Sequence, residues 1–388
     1  MIFFSAESRI DIGEAENIDS IINDYIEKMK QASIVYNKHG ISHGKGDLNA
    51  IAKMMYKVIM KPIEPYIKGK KHLYISPDSN LNLIPFEVLL DPDDKYLLED
   101  YMISYIGAGR DIARFNDTTV TKNDALIMAD PDYDMGLEEI EKVTNKLDIR
   151  VARVRGSVSK DADVLQFGRL PDTKEEADAI EKLLKGSYKL NVKNYQDKNA
   201  LEEVLLQTDS TRIIHISTHG YFLKGEELKR LSGRQSSFEM DKIRDLGIEN
   251  PMLRSGIVLA GANTSLKEKR DDGIVSAEKI LGLKLKGTEL VVLSACNTGV
   301  GEVQSGEGVF GLKRAFLLSG AKTLVMSLWN VPSKETTELM VDFYTLMAEG
   351  KSKAEALRVA KMRMMEKNPH PFFWGAFVMT GDPGKMKY

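Results

Sequence analysis

Two apolar runs end in side chains that could share a proton. Arg212-Ile213-Ile214-His215-Ile216-Ser217 runs into Thr218-His219-Gly220, and Leu290-Val291-Val292-Leu293 runs into Ser294-Ala295-Cys296-Asn297-Thr298-Gly299. Short apolar runs closed by turn residues read as strands buried on both faces of a parallel sheet. Cys296 is the only cysteine in 388 residues. Ligands of open α/β sheets gather at the carboxyl ends of strands, so parallel neighbours would bring His219 and Cys296 to one edge. A thiol becomes a reactive thiolate beside a base, and an imidazole within hydrogen-bond reach supplies one. Gly220 lets the backbone turn sharply, so its N–H and that of Cys296 could both meet an oxyanion. A lone cysteine on a buried strand is equally well an inert core residue. Spacing alone leaves both readings open.

Other candidates are weaker. His215 lies four residues before His219 on the same side of the strand, but no glutamate follows it as a helical zinc motif requires. It reads as a satisfied buried histidine, and no metal is expected. His39, His43, His72 and His370 have no partner at useful spacing. Gly306-Glu307-Gly308-Val309-Phe310-Gly311 matches a dinucleotide fingerprint by letter. It trails the preceding strand instead of following it directly, and Glu307 would face a pyrophosphate, so no nucleotide cofactor is expected.

The positioning elements alternate. Ile18, Ile21, Ile22, Tyr25, Ile26 and Met29 mark an amphipathic helix over 15–30. A second helix is predicted over 48–60, ending before Pro62, with strands near 72–76 and 101–106. From Ala125 the alternation becomes regular. Strands are predicted at 125–131, 188–195, 212–217, 255–260, 290–296, 322–328 and 374–380. Helices are predicted from Pro171 and near 198–207, 307–319, 333–348 and 352–366. This is the pattern of βαβ units and a mostly parallel sheet. Residues 223–250 are highly charged and read as an exposed loop.

Composition excludes several classes. Apolar residues at 43% and charged residues at 29% are ordinary for a soluble α/β protein. A formal net charge of −3 gives no electrostatic reason to expect nucleic acid. One cysteine makes no internal disulfide, which favours a reducing, cytoplasmic setting. The apolar patch at the N-terminus is too short and too soon acidic for a signal peptide, and no run suits a membrane span.

Taken together, His215-Ile-Ser-Thr-His219-Gly220, Leu293-Ser-Ala-Cys296-Asn-Thr-Gly299 and the run from Gly306 to Leu318 resemble the CHAT family of caspase-like cysteine peptidases, relatives of separase. The resemblance continues through Asn250 to Asn263, Asp272-Gly273, Ser327 to Val331 and Trp374 to Phe377. Upstream it includes Asn82 to Phe86 and Leu170 to Ala177. It implies an α/β caspase–hemoglobinase-like fold, a six-stranded mostly parallel sheet flanked by helices. A smaller α/β N-terminal lobe over 1–120, of docking or regulatory character, would precede a peptidase domain over 121–388. His219 and Cys296 would be the catalytic dyad of an endopeptidase acting on a protein substrate through a thioester, without metal or organic cofactor. A place in bacterial signalling or defence is implied as well.

Two departures from the family pattern matter. Trp329-Asn330-Val331-Pro332-Ser333 places Ser333 where an acid facing a basic substrate residue is expected. Serine offers no charge-assisted pairing to arginine, so arginine preference should be weak. The pocket candidates are Asp272, Trp329 and Ser333, with Asp271 and Glu335 as substitute acids. The usual tetratricopeptide repeats are also missing from the chain. Either a separate repeat-containing or other regulatory partner would then deliver the signal, or the chain is the catalytic part of a longer design. A catalytically silent interaction module with the same fold is the competing reading.

Overall fold

The computed structural model describes residues 10–39, 45–117, 119, 122–149, 166–222, 252, 255–268, 270, 272–294 and 307–387. The strands among them are β1 (His72–Ile75), β2 (Met102–Tyr105), β3 (Lys122–Pro131), β4 (Asn191–Asp197), β5 (Thr211–Ser217) and β6 (Gly220–Phe222). They continue with β7 (Ser255–Val258), β8 (Ile274–Ser276), β9 (Leu290–Leu293), β10 (Thr323–Ser327) and β11 (Phe377–Gly381). Two compact units result: residues 1–117 with 325–388, and residues 118–324.

The first unit is discontinuous in sequence. Its strand order is β1-β2-β11-β10, counting β10 where its second half lies. β1 and β2 are parallel from His72 opposite Met102 to Ile75 opposite Tyr105, and β11 joins β2 in parallel at Thr380 opposite Tyr105. The helices Ser333–Ala348 and Lys353–Lys367 pack on each other. The core includes Phe86, Phe343, Tyr344, Phe373, Trp374 and Phe377, all buried. Within it Lys361 Nζ sits 2.7 Å from Glu87 Oε1, and the Tyr105 hydroxyl donates to Glu87 Oε2 at 2.6 Å. Two charges out of water are tolerated there because each has a hydrogen-bonded partner.

The second unit carries the order β9-β5-β3-β4, all parallel. Leu290 to Leu293 of β9 are fully buried, as are Ile213 to Ser217 of β5, which explains runs without polar alternation. The register sets Ile213 opposite Leu290 and Ile216 opposite Leu293. A separate three-stranded antiparallel sheet, β6-β7-β8, follows directly on β5 through Thr218 and His219. The helix Asp172–Gly186 turns Thr173, Glu176, Ala177, Ile180 and Leu184 inward and packs on β3, β4 and β5.

The mixed α/β class, the mostly parallel strands and the flanking helices agree with the sequence. The strand count does not: against the expected six, the main-sheet strands among the described residues number eight, four in each unit, and the second unit adds the three antiparallel strands β6 to β8. β1 and β2 are recognisable as strands, but four-residue segments carry no signal for a partner more than 270 residues away, here β11. Trp374, expected in the last strand, instead ends a short helix, Pro371–Trp374, started by proline and capped by the His370 ring. The charged stretch 223–250 lies outside the described residues.

Candidate active site

β5 and β9 are parallel neighbours, so their carboxyl ends share one edge, and Ser294 N donates to Ile216 O at 2.9 Å there. His219 follows β5 by two residues. Cys296, two residues beyond Ser294 in sequence, lies outside the described residues, as does Asp271.

The surroundings of His219 are built from four chain segments of the second unit. Nε2 lies 2.8 Å from the Gly168 carbonyl oxygen. A carbonyl only accepts, so this assigns the proton to Nε2 and leaves Nδ1 as the basic nitrogen. The ring packs against Tyr133, 5.3 Å away between centroids, and Phe167 at 5.7 Å, and these two rings are 6.1 Å from each other, so the three form a triangular cluster. Burial by these rings pushes the imidazole below its ordinary pKa, and the bond to Gly168 opposes that shift. The result favours a neutral ring, the form a general base needs.

Behind the ring runs an ordered relay. The His219 N–H points to the Tyr133 hydroxyl at 3.4 Å, and that hydroxyl lies 2.9 Å from Thr218 Oγ1. Thr218 donates in turn to the Val258 carbonyl. Val258 N donates to His219 O at 2.9 Å, which makes Gly220, opposite Ile257, a non-hydrogen-bonded position of the β6–β7 ladder. Its N–H therefore points away from β7. Gly220 opens a strand and has no left-handed φ, so the sharp turn expected of it is replaced by an extended backbone.

Beneath His219 lies a buried polar cluster. His215 is fully buried, with Nε2 3.0 Å from Glu176 Oε1 and 3.1 Å from Ser217 Oγ. Ser294 Oγ donates to Glu176 Oε2 at 3.1 Å. One carboxylate thus ties β5 to the residue that directly follows β9. His215 is the satisfied core histidine that the sequence suggested.

The pocket candidates are placed as follows. Asp272 Oδ2 accepts from Arg270 Nε at 2.6 Å, so its charge already has a partner. Trp329 and Ser333 belong to the first unit. Trp329 is buried with Nε1 donating to Phe372 O at 2.9 Å, and Ser333 begins the helix whose first turn holds Glu335. Among the described residues no cluster of three His, Cys, Asp or Glu side chains could hold a metal ion. No helix among them is long and apolar enough to cross a membrane.

Sequence reasoning missed Glu176, Tyr133, Phe167 and Arg169. Glu176 was within reach: with Thr173, Ala177, Ile180 and Leu184 it falls on the helix's apolar stripe, where a carboxylate needs a reason. Phe167 to Arg169 lie in irregular chain and carry no periodic signal.

The chain belongs to the CHAT domain family, whose model matches residues 49–382. It is 23% identical over 350 residues to human tetratricopeptide repeat protein 28, covering 86% of this chain and 13% of that protein. The mouse protein of the same name is 31% identical over 116 residues, 29% of this chain and 5% of the relative. The chain therefore spans only a small part of the curated relatives it matches. Among solved structures it is similar to the Arg-specific cysteine proteinase gingipain R, with TM-score 0.45 and 9% identity over 96% of this chain and 76% of that one. It is also similar to the Saccharomyces cerevisiae separase–securin complex, with TM-score 0.40 and 11% identity over 96% of this chain and 22% of that one.

Proposed function

We propose that the protein is a caspase-like cysteine endopeptidase working through His219 and Cys296. The observation that supports this most is the geometry of His219. It stands just past the end of a strand whose parallel neighbour leads to Cys296, with Nε2 committed to a carbonyl and Nδ1 left basic. Nδ1 takes the thiol proton, and the thiolate attacks the scissile carbonyl carbon. The N–H groups of Gly220 and Cys296 stabilise the oxyanion. His219 returns the proton to the departing amine, leaving a thioester. Water then hydrolyses the thioester, activated by the same imidazole. No metal or organic cofactor enters this sequence.

The substrate is a protein cut after an uncharged residue. The sequence has Ser333 where the family resemblance expects an acid, and Asp272 is already paired with Arg270. Residues 1–120 serve docking or regulation, with a separate repeat-containing protein as controlling partner. The single cysteine suits a cytoplasmic setting.

Digestion of a proteome-derived peptide library tests the reading. New termini should appear with the wild type and vanish in both Cys296→Ala and His219→Ala. Cleavage that survives Cys296→Ala would refute the assignment, and a profile dominated by arginine would refute the specificity.

A further inference from the structure

Gly168 does not hold its own position. Residues 166–170 have no regular structure, and irregular chain stays in place only through its anchors. Three anchors are present. The Asn263 side chain accepts from Phe167 N and donates to Phe167 O, each at 2.9 Å. The Thr173 hydroxyl donates to Leu170 O at 2.7 Å and accepts from Asp130 N at 2.9 Å. Between them, Arg169 grips Asp130 through two parallel bonds, Nε to Oδ1 at 2.9 Å and Nη2 to Oδ2 at 2.6 Å. Its third nitrogen donates to Asp197 Oδ1 at 2.7 Å.

The aspartates are themselves unusual. They close the neighbouring strands β3 and β4, with Pro131 paired to Asp197 just after a register shift. Asp130 has φ 44° and Asp197 φ 55°, left-handed backbone that aspartate adopts more readily than most residues other than glycine. A planar guanidinium held bidentate fixes direction as well as distance, which a lysine cannot do.

We propose that Arg169, clamped by Asp130 and Asp197, is a positioning residue for His219: it fixes the Gly168 carbonyl that receives the Nε2 proton, and so selects the tautomer with Nδ1 as base. The proposal rests on the dyad reading for its catalytic consequence, but its structural claim can be read without it. Arg169 touches no reacting atom.

The test uses the full-length protein with Arg169→Ala and Arg169→Lys, and two readouts. Nitrogen-15 NMR of the His219 ring should show the Nε2–H tautomer in the wild type and a mixture in Arg169→Ala. Alkylation of Cys296 by iodoacetamide at neutral pH should slow by roughly ten- to a hundredfold in Arg169→Ala, the scale of small misplacements of a catalytic group, and by less in Arg169→Lys. An unchanged tautomer in Arg169→Ala overturns the proposal whatever the rate, because a purely structural loss would slow alkylation without moving the ring proton. If wild-type alkylation does not depend on His219, the dyad reading fails while the tautomer still decides the clamp. Should Arg169→Ala not fold, Asp197→Gly removes one grip at a half-exposed position whose left-handed φ glycine adopts freely, and should shift the tautomer in the same direction, an unchanged ring again overturning the proposal.

Discussion

Replacing Glu176 tests how the two strand ends are held together. The carboxylate is 2% exposed and its partners His215 and Ser294 are 0% and 5% exposed, so water cannot replace a lost bond. It makes two contacts, 3.0 Å to His215 and 3.1 Å from Ser294. Hydrogen bonds to a charged group contribute about 1.5–3 kcal/mol each, and the two buried partners left without their acceptor add to the loss. Glu176→Ala should therefore lose about 4 kcal/mol. Glu176→Gln, which keeps the shape and an acceptor for Ser294, should lose about half of that. Urea unfolding gives the totals, and hydrogen exchange at β5 and β9 amides shows whether the loss is local to the strand pair. Because Glu176 and His215 act on one contact, the double variant with His215→Ala should be non-additive by at least about 1 kcal/mol. A loss below about 1 kcal/mol for Glu176→Ala, or full additivity, would refute this account of the cluster.

Three further outcomes follow from the same geometry. In a Cys296→Ala protein, His219 should titrate below 6.5 by NMR, because burial outweighs the bond to Gly168. A ring whose folded pKa is depressed leaves the unfolded chain to bind the proton first, so its contribution to stability falls as pH drops below 6.5 and levels off beneath the folded pKa. A midpoint above 6.5 contradicts the neutral-base assignment. In the first unit, Lys361→Met strands the Glu87 carboxylate and should cost about 3–5 kcal/mol in urea unfolding. Adding Glu87→Gln should recover part of it, since Gln can still accept from Tyr105. No recovery would mean that the lysine stem, not its charge, matters there.

Much of the second unit was legible in the sequence because its strands are buried on both faces. Ile213 to Ser217 and Leu290 to Leu293 are continuous apolar runs, and each leads to a chemically distinctive residue. The helix from 172 was announced by its acidic first turn. The partnership of β1 and β2 with β11 was hidden, since no local pattern records which distant strand completes a sheet edge. The ring clamp on His219 was hidden for another reason. Gly168 acts through a backbone carbonyl, which every residue type possesses, and Arg169 looks like any surface arginine until its two left-handed aspartates are in place. Glu176 was the missed opportunity, an acid on an apolar stripe in a segment already marked by resemblance.

The most direct test of the dyad is the rate of Cys296 alkylation by iodoacetamide as a function of pH, in the wild type and in His219→Ala. With His219 as base, the wild-type thiol should react well below the ordinary thiol pKa of about 8.5, and His219→Ala should return its profile toward that value. Identical profiles in the two proteins, both rising near the ordinary thiol pKa, would contradict the account.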